Sequence, residues 1–132
     1  MNLVLDCSVI LSSLLPDEKQ PHIQYSLYKI YVPVIFYMEC NNVLLSSINR
    51  KRIDSADYQE YLLTIQGLPI NVDKLSASAE SLYFISELAI KNSLSSYDAS
   101  YLELAIRLKA KMATIDNKLI KACNAHQVEV VN

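Results

Sequence analysis

The chain has 132 residues, 52% of them hydrophobic and 20% charged, with a formal net charge of −2. That size and balance suit one globular domain with a core of its own and exclude a disordered chain. An acidic balance gives no global basic field for nucleic acid, so such a role needs local basic patches, a metal ion or a partner.

Asn2 to Leu5 reads as a short apolar strand, and Ser8 to Leu15 as a helix stopped by Pro16. The start, MNLVLDCSVILSS, lacks a basic lead and carries Asp6 inside its apolar run, so it is not read as a secretion signal. PDEKQP is a polar turn, His22 to Lys29 a second helix, and Ile30 to Val34 a strand. A long helical pattern runs from Ile35 to the basic cluster Arg50, Lys51 and Arg52. Asp54 or Ser55 caps the next helix, SADYQEYLLTI, which Gly67 ends. Pro69 to Val72 is a strand, Ser76 to Lys91 a helix with Asn92 as its stop, and Ser96 to Lys109 another helix. Met112 to Ile115 is a strand, Asn117 to Ala125 a helix and Val128 to Val131 the last strand. Short strands alternating with helices imply an α/β fold, a parallel sheet with helices on both faces. The helical excess suggests an inserted hairpin around residues 35 to 66.

Several chemistries drop out early. The single glycine excludes glycine-rich phosphate loops. No apolar run approaches the ~20 residues of a membrane span. Cys7, Cys40 and Cys123 form no CxxC pair, and their odd number points to reduced thiols in a cytoplasm. His22 and His126 are too few and too far apart in sequence to suggest a zinc site.

Four acids remain. In an open parallel sheet, ligands bind beyond the carboxyl ends of the strands. Asp6 ends the first strand and Asp116 ends MATI. Asp98 starts the helix that feeds MATI, and Glu39 lies early in the helix after IYVPV. Each has a plainer reading. Asp6 and Asp116 precede helices and suit N-caps. Asp98 stands three residues after Ser95, the spacing of a capping box, and faces the positive end of a helix dipole. Glu39 suits a surface position, although Glu39, Asn42 and Ser46 make one polar stripe on an apolar helix, as in a cleft wall. Taken together, acids gathered at one sheet edge repel each other unless a cation neutralises them. All-oxygen ligands select hard ions, so Mg²⁺ or Mn²⁺ is the expected cation. Such a site commonly serves phosphoryl chemistry.

Three stretches carry a family resemblance: LDCSVILSSLLPDE, MECNNVL, and LSSYDASYLELAIRLKAKMATIDNKLIKA. An aspartate followed by helix, apolar strand and T-x-D is the most specific of them. Over nearly its full length, residues 1–132, the chain resembles a single PIN domain, and especially the VapC-type toxins of toxin–antitoxin pairs. The resemblance implies a three-layer α/β/α fold around a parallel sheet of about five strands. It implies Mg²⁺- or Mn²⁺-dependent endoribonuclease activity, with Asp6, Glu39, Asp98 and Asp116 around the ion. It implies products with a 5′-phosphate and a 3′-hydroxyl, a homodimer, and a cognate antitoxin that blocks the site. Ser8, Asn42 and Asn117 are candidates for hydrogen-bonding support behind the acids. Two positions depart from the family: Cys7 stands where small hydroxyl residues are common, and Asn117 where basic residues are frequent.

Candidate RNA contacts are Arg50, Lys51 and Arg52, and Lys118 with Lys121. Both groups also suit plain helix surfaces. Tyr25, Tyr28, Tyr31, Tyr58 and Tyr61 suit helix packing better than base stacking. Asp73 after INV would suit a phosphoacceptor receiver, but Asp6 has no paired acid and Glu39 has no role there; Asp6-Cys7-Ser8 likewise fails a D-x-D phosphatase. Two alternatives stay inside the family: a silent PIN-fold interaction module, and a PIN nuclease of RNA maturation without an antitoxin.

Overall fold

The computed structural model describes residues 1–15 and 20–132. The expected stop at Pro16 and most of the PDEKQP turn fall outside the described residues. Strand β1 (Asn2–Leu5) leads into helix α1 (Cys7–Leu14), then β2 (Lys29–Pro33), α2 (Phe36–Asn49) and α3 (Ser55–Gln66). Next come β3 (Ile70–Asp73), α4 (Ala79–Asn92), α5 (Ser96–Leu108), β4 (Lys111–Ala113), α6 (Asn117–Ala125) and β5 (Val130–Val131). All strand pairs are parallel, in the order β3-β2-β1-β4-β5. The expected sheet with helices on both faces is therefore present.

This order has a consequence for function. From β1 the chain steps outward through β2 to β3, then returns to the other side of β1 for β4 and β5. Right-handed crossovers place α1 to α3 on one face and α4 to α6 on the other. The direction reverses between β1 and β4, and a crevice opens there beyond the strand ends. The packing agrees: α5 lies against β1, β2 and β4, with Tyr101, Leu102 and Leu104 fully buried. The hairpin expected around residues 35 to 66 is α2 packed on α3, pinned by the Tyr58 hydroxyl donating to Asn41 Oδ1 at 2.6 Å.

The expected helix over His22 to Lys29 is not formed. Only a single 3₁₀ turn, Tyr25–Leu27, is present, with no side-chain cap. The Lys29 amide donates to the Met1 carbonyl at 2.8 Å, so pairing with β1 draws the end of this segment into the sheet. α4 starts at Ala79 rather than Ser76. Asp73 takes the Ser76 amide and opens a 3₁₀ turn, and Ser78 caps α4 by accepting from the Ser81 amide. β5 is shorter than expected, because the Val128 amide closes the end of α6 by bonding the Cys123 carbonyl. β4 stops at Ala113, where its pairs with Leu5 of β1 and Val131 of β5 are the last in each ladder. The five tyrosines pack, partly buried, against the core. Among the described residues, no helix is long and apolar enough to cross a membrane.

Candidate active site

The site begins with one register. Leu5 pairs with Ala113, and the Asp6 amide extends that ladder by donating to the Ala113 carbonyl at 2.9 Å. Asp6 thus leaves β1 at the reversal of strand order. It sits at the N-cap position of α1, yet its side chain makes no capping bond there. Its carboxylate points elsewhere: Oδ2 accepts from Ser8 Oγ at 2.7 Å and from Thr114 Oγ1 at 2.8 Å. Thr114 Oγ1 in turn accepts from the Asp116 amide at 3.1 Å, and Ser8 Oγ accepts from the Ile115 amide at 3.3 Å. Two hydroxyls therefore tie the ends of β1 and β4 together around one carboxylate.

The other acids surround it. Asp116 caps α6, its Oδ1 accepting from the Leu119 amide at 2.9 Å. Asp98 does not cap α5. Ser95 does, accepting from the Asp98 amide at 3.1 Å. Glu39 stands in the first turn of α2, and its Oε1 is buried without a hydrogen-bond partner. The Tyr101 hydroxyl faces it, also buried and also short of hydrogen-bond geometry. A buried polar pair left unsatisfied is costly, and here it lies beside Asp6 and Asp98.

Electrostatics show the acids as one cluster. Burial pushes Asp6 above the ordinary carboxylate range, and the Asp98 and Asp116 charges push the same way, against the Ser8 and Thr114 hydrogen bonds. Burial also raises Glu39, helped by Asp6 and Asp98. Burial raises Asp98 too, with Asp116 adding to it while Ser95 and Lys118 oppose. Each of these three groups titrates against its neighbours. Among the described residues, no three His, Cys, Asp or Glu side chains stand close enough to hold an ion as they are. The arrangement is an acidic cluster rather than a closed ligand cage. Its donor chemistry still fits a hard divalent cation: every donor is a carboxylate oxygen, and one is buried and orphaned.

Not all the expected residues join the cluster. Ser8 does, through Asp6. Asn42 and Ser46 point to solvent, so the polar stripe is an exposed face and not a cleft wall. Asn117 is exposed on the first turn of α6, and no hydrogen bond links it to an acid among the described residues. Lys118 comes close enough to oppose the Asp98 shift, and Lys121 is exposed about one turn further along α6. Arg50 to Arg52 lie at the far end of α2, about 16 Å along the axis from Glu39 at 1.5 Å per residue. Thr114 and Tyr101 were not singled out in the sequence. For Thr114 the signal was the T-x-D pattern itself; Tyr101, inside a buried helix, carries none.

A PIN-domain family model matches residues 3–125. The chain belongs to the PIN-domain family, a nuclease family. Three solved structures share the fold. PAE2754 from Pyrobaculum aerophilum has a TM-score of 0.70 at 19% identity, covering 92% of this chain and 86% of that one. FitAcB from Neisseria gonorrhoeae gives 0.64 at 16% identity, covering 98% and 96%. VapC20 of Mycobacterium tuberculosis, a Sarcin-Ricin loop cleaving toxin, gives 0.60 at 12% identity, covering 92% and 95%. No curated protein matches in sequence.

Proposed function

We propose that this PIN domain is a metal-dependent endoribonuclease of the VapC type, the toxin of a toxin–antitoxin pair. The observation that carries the proposal is the cluster of Asp6, Glu39, Asp98 and Asp116, electrostatically coupled at the reversal of strand order. Its fold likeness to a toxin that cleaves the Sarcin-Ricin loop is in keeping with an RNA substrate.

These four carboxylates would hold Mg²⁺ or Mn²⁺, which supplies charge neutralisation at the phosphodiester and an acidified water. The chain's own residues do the rest. Ser8 and Thr114 both occupy Oδ2 of Asp6, which fixes the carboxylate and spares Oδ1. Asp116 spends Oδ1 on the α6 cap and keeps Oδ2. Lys118 sets a positive charge beside Asp98, suited to a phosphate oxygen. Water attacks phosphorus, and the bond to the 3′-oxygen breaks, leaving a 3′-hydroxyl and a 5′-phosphate. No side chain forms a covalent intermediate: the Cys7 thiol is pushed up by its neighbour Cys40 and by burial, which makes it a poor nucleophile.

Partners follow from exposed apolar surface. α4 presents Tyr83 and Ile90, 66% and 83% exposed, beside a groove of about 730 Å³ that Ile106 of α5 helps to line. Glu87 and Lys91 border the groove, giving charges of both signs, as suits a homodimer. The α2–α3 hairpin exposes Met38 on α2, the helix that carries Glu39, and Leu63 on α3, a fit for an antitoxin seated over the acids. Three free thiols, Cys7, Cys40 and Cys123, suit a reducing cytoplasm.

The test is cleavage of RNA by the purified protein with Mn²⁺, against EDTA and against Asp98→Asn. Cleavage present with the metal and lost in both controls is expected, with the fold unchanged in the variant. A folded wild type that cuts no RNA would move the reading to a silent binding module.

A further inference from the structure

A second cavity is lined by both chain neighbours of Asp116. It measures about 330 Å³ and is lined by Gln20, His22, Ile115, Asn117, Ile120 and Asn132. That is the small end of ligand pockets, room for a single ring system rather than a large molecule. Its position is fixed by the site. Ile115 and Asn117 flank Asp116 in sequence, and the Ile115 amide bonds Ser8, which bonds Asp6. Asn132 donates to the Thr114 carbonyl at 3.2 Å, tying the cavity to the residue that holds Asp6.

The lining is mixed in a particular way. Ile115, Ile120 and neighbouring Pro21 supply apolar surface for a flat ring. Gln20, Asn117 and Asn132 supply side-chain amides, which both donate and accept. Among the described residues, neither Gln20 nor Asn117 has a side-chain hydrogen bond of its own, and Asn132 keeps its carbonyl oxygen. Among the described residues no Lys, Arg or carboxylate lines the cavity and its one ionisable side chain is His22, so it is poorly suited to phosphate. Phosphate falls instead to Lys118, one residue beyond Asn117 and beside Asp98.

We propose that this cavity takes one unpaired nucleobase of the RNA, flanking the bond to be cut. The inference rests on the nuclease reading and adds a recognition site to it. Single-stranded RNA is read by splaying a base onto apolar or aromatic surface and bonding its edge with polar groups. A chain with net charge −2 gains little from phosphates alone, so base contacts carry more of the binding. Asn117, where the family often has a basic residue, then serves base selection.

The test is equilibrium binding in EDTA, where nothing is cut, followed by fluorescence anisotropy with the full chain. Labelled single-stranded heptaribonucleotides of uridine carry one A, C, G or abasic substitution at each position in turn. Wild type should prefer one base at one position by about tenfold or more over the abasic nucleotide. Asn117→Ala and Gln20→Ala should flatten the preference, and Ile120→Phe, which fills the cavity, should remove it. Equal binding of abasic and intact RNA, no binding at all, or a preference that survives all three variants would overturn the proposal. Mn²⁺-dependent cleavage separates the two readings. Base preference without cleavage keeps the pocket and removes the nuclease; cleavage without base preference does the reverse.

Discussion

Thr114 links the two strand ends with one hydroxyl, donating to Asp6 and accepting from the Asp116 amide. Thr114→Val keeps the shape and removes both bonds inside a fully buried site. The expected cost is about 1–3 kcal/mol of stability, read by urea unfolding. Asp6 also loses a group that lowers its pKa. The acid limb of any cleavage profile should therefore move to higher pH, and Thr114→Ser should restore it. A second prediction follows from the cluster's charges. Asp6, Glu39 and Asp98 are all raised in the fold, above ordinary values of 3.8 for Asp and 4.5 for Glu. The folded state thus holds protons that the unfolded chain releases, so these groups destabilise the metal-free protein as pH rises above those ordinary values. In EDTA at neutral pH, Asp98→Asn should melt above wild type. The gap should close as pH falls through the window, and Mn²⁺ should raise the wild type's Tm. A gap that widens on acidification would contradict the raised pKa of Asp98.

Among the helices and strands, the sequence was most legible where a local signal and a tertiary role agree. Asp54 caps α3, Ser95 caps α5, and α6 runs over the expected residues with Asp116 as its cap. The apolar runs that became β1, β2 and β4 were visible because buried parallel strands read as continuous hydrophobic stretches. The segment from His22 to Lys29 was illegible because its fate is decided by pairing with a distant strand, not by its own periodicity. In the candidate site, Asp6 and Asp116 stood out from their places at strand ends, and Asp98 and Glu39 from theirs near helix starts. The T-x-D pattern marked Thr114, but its bond to Asp6 was not legible, since only the three-dimensional register brings the two together. The helix ends hold a further surprise. Lys51, Ser93 and Lys109 follow helices with φ of 57°, 54° and 51°, while Gly67 has φ of −83°. The glycine read as a stop does not use its freedom. A Cβ there would meet only ordinary contacts, at 3.5 and 3.6 Å. Gly67→Ala should stabilise by about 0.4–1 kcal/mol through the unfolded state. Lys109→Gly should stabilise by up to about 1 kcal/mol by relieving a left-handed backbone. Urea midpoints check both, and a loss in either variant would contradict the backbone described.

On the scale of the whole molecule, the strand order separates chemistry from assembly. The reversal between β1 and β4 gathers the acids at one edge of the sheet, whereas α4 carries four large exposed apolar side chains, Leu82, Tyr83, Phe84 and Ile90. Phe84 and Ile90 are 58% and 83% exposed, side by side with the groove they line. Large contiguous apolar patches on a monomer mark association surfaces. If this one is the homodimer face, replacing those two side chains should break the dimer without touching the fold, because exposed positions contribute within about 0.5 kcal/mol to stability. Phe84→Asp with Ile90→Asp should therefore sediment as a monomer at concentrations where wild type is a dimer. The same variant should unfold at nearly the wild-type urea concentration once dissociation is allowed for. A variant that stays dimeric would move the interface elsewhere, with Met38 and Leu63 on the α2–α3 hairpin as the next apolar surface to replace.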